Sequence, residues 1–243
     1  MSTFPISFLG GVDPASGTIL DPECDSEGEN ISGKVFCFPF GKGSTVGSYA
    51  MYQLKLGGHA PAAIINDSAE PIIATGAIIA DIPMVDGVDV SLLRSGDLVD
   101  VDADEEYVEL PDVVEKHVVT SIVKSKGKLL LLRRSDKVGS YRGQWAGVSG
   151  FIEPHERDDE AARRELAEEI AAEKIRIVRK IDPLRFRDKG TIWCVHPFLV
   201  EVKNTKIRID WEHRSFEWIS PDEIGRFRTV PGLQQVISRL IGD

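Results

Sequence analysis

The sequence predicts a two-domain protein of the α/β and α+β classes, and three observations support the division into two domains. The length of 243 residues suits one large or two ordinary domains. Residues 1–108 are rich in Gly, Ala, Ile and Pro, whereas residues from 116 onward are rich in Arg, Lys, Glu and Trp. Between them lies a short Pro-bearing junction, Glu109–Asp112. We therefore predict domains of residues 1–110 and 114–243.

The first domain has the order strand, loop, helix, strand, which is typical of a compact α/β unit. Apolar runs and the Gly57-Gly58 stop signal predict strands over 33–38 and 62–66, a helix over 48–56, a helix or buried turn over 72–79 and an edge strand over 97–102.

The second domain begins with two predicted strands, 117–123 and 128–134, around a hairpin turn at Lys126-Gly127. Further strands are predicted over 176–180, 193–202 and 216–219, with helices over 221–227 and 232–241.

Composition excludes several functional classes. The net charge of −10 and pI near 5.1 argue against nucleic-acid binding through phosphate contacts. No apolar run is long enough to span a membrane, and the first residues lack the pattern of a signal peptide. Three widely spaced cysteines predict free thiols in a reducing cytoplasm, and they are unsuited to hold an iron–sulfur cluster by themselves.

The most informative motif is Gly150-x5-Glu156-x7-Arg164-Glu165-Leu-Ala-Glu168-Glu169. The last three glutamates are spaced i, i+3 and i+4, so they project from one face of the helix that we expect to begin near residues 157–160. Like charges on one face repel, and a divalent cation removes that cost. Carboxylate oxygens suit Mg²⁺ or Mn²⁺, and Mg²⁺ is usually shared with substrate phosphates.

This motif resembles the Nudix box, the signature of the Nudix hydrolases. The resemblance implies an α/β/α sandwich with a mixed sheet, and Mg²⁺-dependent hydrolysis of a small-molecule diphosphate. It also implies metal ligands at Glu165, Glu168 and Glu169, joined by the Gly150 carbonyl, and a homodimer is common among Nudix domains. The sequence departs from the family pattern at Ala171, where the box has a glycine that permits close packing or a special backbone angle.

Other residues of the second domain are given supporting roles. We expect Glu156 and Arg164 to form an ion pair that orients the helix. Glu212, on a loop after the box, is either an extra ligand or general base or a solvated loop acid. For Arg133, Arg134, Lys137 and Arg142, phosphate binding and a merely charged surface are equally open. Trp145 and Trp193 could stack on a base, but lone aromatic residues more often belong to the core.

In the first domain, Gly41-Lys42-Gly43-Ser44-Thr45 lies between a predicted strand and helix, where backbone N–H groups favour an anion. Ser44 is placed to cap the helix and to face such an anion, although the residues alone favour a simple N-cap role, because Gly-Ser loops are common. The Walker A spacing is absent.

The segments 5–14, 41–49, 60–64 and 75–79 together resemble the small swivelling subunit of the aconitase X family, whose archaeal members include phosphomevalonate dehydratase of the mevalonate pathway. The resemblance implies that Ser44 is the proton acceptor in dehydration, assisted by Lys42, and that a separate large subunit supplies a [4Fe–4S] cluster. Only four residues precede Pro5 here, whereas relatives carry one or two further strands. We therefore expect either a start annotated too late or a lost edge strand that leaves the sheet edge exposed.

The sequence thus predicts a fusion of a hydro-lyase small subunit with a Nudix hydrolase, with isoprenoid metabolism as a possible common setting. The main alternative is a non-catalytic subunit that binds a large partner, joined to a sensor that binds a nucleotide without turnover. Isoprenoid diphosphate isomerisation is a weaker alternative, because the box is hydrolase-like.

Overall fold

The computed structural model describes residues 1–172 and 174–242. The chain divides into two compact units, Met1–Val113 and a second unit from Val114 onward. Within the described residues, no helix is long and apolar enough to cross a membrane.

The first unit is built on three parallel strands in the order β1-β2-β3. Its elements are β1 (Val35–Phe38), α1 (Gly47–Leu56), β2 (Ala63–Asn66), α2 (Pro71–Ile79), β3 (Met84–Val85), a 3₁₀ turn (Val90–Leu92) and the two-stranded hairpin β4 (Asp100–Asp102) and β5 (Tyr107–Glu109). The predicted strand–helix–strand order is confirmed. The segment 72–79 is helical rather than a buried turn. Pro71 is compatible with this helix because it occupies the first turn, where the N–H that proline lacks would have no partner within the helix.

The two helices of this unit pack closely at Gly76, where an added Cβ would lie 2.3 Å from the sulfur of Met51. The outer edge of β1 is partly covered by the start of the chain. The Ser2 amide donates to the Cys37 carbonyl at 2.8 Å, and Ile6 bridges Gly41 in parallel. Ser2 thus pairs with β1 itself and Ile6 with Gly41 beyond its end, and the loss of an edge strand stays a prediction.

The second unit contains an eight-stranded mixed sheet. Its elements are β6 (Val114–Ser125), β7 (Lys128–Arg134), β8 (Trp145–Ala146), β9 (Val148–Phe151), α3 (Asp158–Ile170), β10 (Ile175–Lys180), β11 (Leu184–Asp188), β12 (Thr191–Val202), β13 (His213–Ile219), a 3₁₀ helix (Pro221–Arg226) and α4 (Leu233–Ile241). The central pair β6 and β12 is parallel, and the other pairs are antiparallel.

Each face of this sheet is covered by one helix, because apolar residues alternate along the strands. Ala161, Leu166 and Ile170 of α3 pack on Val119 and Phe198, while α4 packs on the opposite face. The opposite core contains Ile122, Leu131, Leu199, Val236 and Leu240. This is the α/β/α sandwich that the sequence predicted.

Two sequence expectations for this unit need correction. The predicted helix over 221–227 is a 3₁₀ helix, in which the Ser220 amide donates to Glu223 at 2.9 Å and so closes a tight N-terminal turn. Strand β11 was not predicted, although Leu184–Asp188 alternates apolar and charged residues between Asp182-Pro183 and Lys189-Gly190, which are turn signals. The hairpin at Lys126-Gly127 is confirmed, and both residues have positive φ as a tight two-residue turn requires.

Candidate active site

Helix α3 places the three box glutamates beside the end of β9. Its N-terminus is stabilised by Glu160, whose carboxylate accepts from the Arg157 amide at 3.1 Å, and by the acidic first turn, which suits the helix dipole. The side chain of Glu165 is 12% exposed, that of Glu169 4% and that of Glu168 61%. The helix therefore turns two carboxylates inward and leaves one at the rim.

The predicted ion pair between Glu156 and Arg164 is present, with nitrogen–oxygen distances of 2.9 Å on both carboxylate oxygens. These hydrogen bonds lower the pKa of Glu156 to about 2. The same guanidinium donates to the Phe151 carbonyl at 3.0 Å and to Glu165 Oε1 at 2.5 Å. Arg164 thus ties the loop, the end of β9 and a box glutamate together.

Gly150 lies directly against Glu165. A Cβ at this glycine would come within 1.8 Å of Glu165 Oε1, so only glycine leaves room for the carboxylate. The requirement is close approach of the backbone rather than an unusual φ angle.

Glu169 is the most buried member of the cluster. Its Oε1 accepts from the Ser149 amide at 3.1 Å, while its Oε2 is buried and makes no hydrogen bond to any described residue. Burial raises the pKa of Glu169 well above its ordinary value, and the nearby charges of Glu165 and Glu212 raise it further. Burial likewise raises the pKa of Glu165 and of Glu212.

Glu212 is brought into the cluster by the loop before β13. Its amide donates to Asp210 Oδ1 at 3.1 Å, and its carbonyl accepts from the Ser135 amide at 2.7 Å. Its charge contributes to the raised pKa values of Glu165 and Glu169. The structure therefore places it beside the box glutamates.

Asp210 and His213 were not singled out from the sequence, although they flank Glu212 there. The Asp210 amide donates to the Glu169 carbonyl at 3.1 Å, and its carboxylate lies 3.1 Å from His213 Nδ1. Burial lowers the pKa of His213, whose Nε2 lies 3.5 Å from Glu169 Oε2. The sequence does place both residues within two positions of Glu212. Their role could not be predicted from that spacing, because the loop reaches α3 only when β13 pairs with β7.

The donor set at this site fits a hard divalent cation. Three carboxylates with raised pKa values stand together, and the buried Oε2 atom of Glu169 makes no hydrogen bond within the described ranges. Such crowding is costly unless a cation compensates it, and oxygen donors suit Mg²⁺ or Mn²⁺.

The predicted phosphate-binding arginines brace the loop between β7 and β8. The Nε atoms of Arg133, Arg134 and Arg142 donate to the carbonyls of Gly143, Ser140 and Val138, at 3.2, 3.1 and 2.8 Å. The charge of Arg134 partly offsets the rise in the pKa of Glu212 that burial causes. Arg142 and Lys137 are exposed.

The two predicted stacking tryptophans differ in environment. Trp145 belongs to the core, in edge contact with Phe227 at 5.2 Å. Trp193 is half-buried and lies 6.1 Å from the exposed ring of Phe151, with Lys116 Nζ 5.8 Å from the Trp193 ring. Phe151, the residue after Gly150, and Trp193 therefore form a partly exposed aromatic pair beside the box.

In the first unit, Ser44 lies on an exposed loop before α1. It does not cap the helix as expected: the N-cap is Val46, whose amide donates to Ser44 Oγ at 3.3 Å, because a turn closed by the Gly47 amide and Ser44 carbonyl comes first.

The loop groups expected to hold an anion already contact carboxylates. The Gly41 amide donates to Glu70 at 2.7 Å, and Lys42 pairs with Asp21 at 3.1 Å and with Glu23 at 3.4 Å. Gly43 has a φ of +106°, which requires glycine. As the loop stands, Lys42 is engaged by carboxylates rather than by Ser44.

Comparison with known proteins identifies both units. Residues 1–110 match the aconitase X swivel domain family, and residues 115–240 match the NUDIX domain family. The phosphomevalonate dehydratase small subunit of Thermococcus onnurineus is 61% identical over 112 residues, which is 46% of this chain and 86% of the relative.

Two solved structures are also similar. The aconitase X of Thermococcus kodakaraensis, in its holo-form, has 60% identity and a TM-score of 0.45 over 45% of this chain and 83% of that chain. The MutT protein of Methanosarcina mazei Go1 has 22% identity and a TM-score of 0.48 over 53% of this chain and 94% of that chain.

The resemblances that the sequence suggested are therefore confirmed for both halves. The chain belongs to the NUDIX family through residues 115–240 and, through residues 1–110, to the aconitase X swivel family that includes the phosphomevalonate dehydratase small subunits.

Proposed function

We propose that the second domain, residues 114–243, hydrolyses a diphosphate linkage in a small molecule with Mg²⁺ or Mn²⁺. The observation that carries this proposal is the cluster of Glu165, Glu169 and Glu212, in which the buried Oε2 atom of Glu169 makes no hydrogen bond to any described residue. A structural cluster of this kind would be expected to pair its charges with arginine or lysine; within the described residues, Glu165 hydrogen-bonds to Arg164, whereas the buried Glu169 has no ion pair with a lysine or arginine.

In this proposal Glu165, Glu168, Glu169 and the Gly150 carbonyl hold the cation. When bound, it neutralises the diphosphate and lowers the pKa of a bound water. Arg164 positions Glu165 and holds the end of β9, so the carboxylate is oriented before substrate arrives.

Glu212 is proposed as the group that takes the proton from the attacking water. It lies beside the box glutamates on a loop whose backbone is fixed by Ser135 and Asp210. Arg134 and Arg142 are proposed to hold substrate phosphates with the guanidinium nitrogens beyond Nε, because Nε braces the loop backbone.

A substrate panel tests this proposal. Purified full-length chain with Mg²⁺ is assayed on ADP-ribose, nucleoside di- and triphosphates, nucleotide sugars, mevalonate diphosphate and isopentenyl diphosphate. Turnover of at least one substrate is expected. Tight binding of a nucleotide with no turnover of any compound would instead support a sensor.

We also propose that the first domain, residues 1–110, acts as the small subunit of a phosphomevalonate dehydratase-like hydro-lyase. Its support is the 61% identity to a protein of that description. Ser44 would accept the proton from its exposed loop, with Gly41, Lys42 and Gly43 shaping the contact to the phosphorylated substrate, and a large aconitase-X-type subunit would bring the [4Fe–4S] cluster.

Anaerobic co-purification with such a large subunit tests this second role. We expect a stable complex with dehydratase activity that is lost in Ser44→Ala and kept in Ser95→Ala, which changes an exposed serine elsewhere in the same unit. A chain that stays separate from the large subunit would contradict the role. If mevalonate or isopentenyl diphosphate is also hydrolysed, both domains serve isoprenoid metabolism; strict nucleotide specificity would refute that link.

A further inference from the structure

Two histidines and a cysteine, residue types that commonly bind metals, lie close together on the sheet face that carries α3. His117 of β6 is the register partner of Cys194 of the parallel strand β12, and His196 follows two residues later on the same face. The ligand atoms of the three residues all lie within 4.8 Å of one another. Strand register alone therefore assembles the group.

Its dimensions are close to those of a zinc site. His117 Nδ1 lies 3.1 Å from His196 Nε2, and Cys194 Sγ lies 3.9 Å from the same nitrogen. Tetrahedral zinc, with bonds of about 2.0–2.1 Å to nitrogen and about 2.3 Å to sulfur, spaces such atoms by about 3.3 and 3.6 Å. Shifts of about 0.3 Å would bring these two distances to ideal values.

Each histidine also has a carboxylate on its other ring nitrogen. Asp158 Oδ2 lies at hydrogen-bond distance from His196 Nδ1, 3.0 Å, whereas Glu115 Oε1 lies 3.6 Å from His117 Nε2, within ion-pair distance only. Histidines that bind metals are usually oriented in this way, because the outer carboxylate fixes the ring and its tautomer.

The carboxylates are themselves held in place by cations. Lys180 lies 2.6 Å from Asp158, and Arg185 lies 3.3 Å from Glu115. The positive charges of Lys180 and Arg185 are therefore neutralised by these carboxylates. Their repulsion of a bound cation is reduced accordingly.

The main rival reading is a Cys–His–Asp nucleophile. Cys194 is 2% exposed, so its sulfur is poorly placed to attack a substrate. A metal ligand needs only the space between the three side chains. The side chain of His117 is 51% exposed, so solvent reaches this member of the group.

We propose that His117, Cys194 and His196 bind one zinc ion, with a water in the fourth position. Thiolate and imidazole ligands select zinc over magnesium, so this site is chemically distinct from the glutamate cluster. Since His196 contacts Asp158, the first residue of α3, the ion would also anchor the start of the helix that carries the box glutamates.

Metal titration of the full-length chain tests the proposal. Metal-stripped protein is saturated with Mg²⁺ to fill the carboxylate site, then titrated with Zn²⁺ by calorimetry and with Co²⁺ by absorption spectroscopy. We expect one Zn²⁺ per chain and a thiolate-to-cobalt charge-transfer band. Cys194→Ser removes the band, and Asp158→Asn, which alters only a positioning residue, weakens zinc binding roughly 10–100-fold.

Matched variants exclude general effects. Cys37→Ser and His155→Gln, which change a buried thiol and an exposed histidine elsewhere, should bind as the unmodified chain does. If Cys194→Ser does not fold, His117→Gln on the half-exposed ligand carries the test and should weaken zinc binding at least as much as Asp158→Asn. Absence of stoichiometric zinc, a cobalt spectrum without the thiolate band, or a band that survives Cys194→Ser would overturn the proposal.

Discussion

The carboxylate of Glu165 occupies the space that a side chain at Gly150 would need, since a Cβ there would lie 1.8 Å from Glu165 Oε1. The absence of a side chain at Gly150 therefore allows the Glu165 carboxylate to take this position. This contact joins the end of β9 to α3. Arg164 of α3 strengthens the same junction by binding Glu156 of the intervening loop and the Phe151 carbonyl at the end of β9.

Gly150→Ala should impair hydrolysis far more than folding. The added methyl pushes the Glu165 carboxylate aside, and a displacement of about 1 Å can cost roughly 100-fold in activity. The carboxylate ends a flexible side chain, so we expect only about 1 kcal/mol loss in free energy of unfolding. Steady-state kinetics and urea unfolding measure both quantities. Gly190→Ala, where an added Cβ meets nothing within 4 Å, is the control; equal activity in the two variants would contradict the assigned contact.

Ala171→Gly should stabilise the second unit. Ala171 has φ +52° and ψ +37°, the left-handed conformation, at the C-terminal end of α3. A Cβ there costs about 1–2 kcal/mol, and glycine gives back about 0.5–1 kcal/mol as unfolded-chain entropy. The net expectation is a gain of about 0.5–1 kcal/mol.

Urea unfolding followed by tryptophan fluorescence measures this change selectively, because Trp145, Trp193, Trp211 and Trp218 all lie in the second unit. Ala167→Gly, at an exposed position inside the same helix, should instead lower stability by about 1 kcal/mol. A loss of stability in Ala171→Gly as large as that in Ala167→Gly would show that the left-handed backbone is not strained by alanine.

The Glu156–Arg164 pair should make stability depend on pH in the acid range. The pKa of Glu156 is about 2 in the folded chain, against an ordinary value near 4.5. A lowered folded-state pKa contributes stability that is fully present above pH 4.5 and is lost as the pH falls towards 2.

Glu156→Gln should therefore unfold at lower urea than the unmodified chain at pH 7, and the difference should shrink between pH 4.5 and pH 3. Tryptophan fluorescence follows the transitions, with Glu217→Gln on the exposed face of β13 as the control. A difference that stays constant from pH 7 to pH 3 would mean that the pair acts through packing rather than charge.

Local signals predicted much of this molecule, because the box glutamates and the hairpin glycine depend on spacing within a few residues. Asp210 and His213 were missed, since their contacts with Glu169 exist only after β13 pairs with β7. The group of His117, Cys194 and His196 was invisible for the same reason: residues 117 and 194 meet through the parallel register of β6 and β12. Ser44 was misjudged as a cap because an extra turn precedes α1.

The central claim is that the box carboxylates support metal-dependent hydrolysis, and Glu168→Gln tests it most directly. The side chain is 61% exposed, so its replacement should leave the unfolding midpoint nearly unchanged. The measurement is the rate of Mg²⁺-dependent phosphate or nucleotide release from the best substrate of the panel, for Glu168→Gln and for Glu217→Gln. We predict a loss of more than about 100-fold in Glu168→Gln alone, because losing even a residue that only orients a metal ligand costs roughly 10–100-fold. Equal rates in the two variants would contradict the claim that these carboxylates hold the catalytic metal.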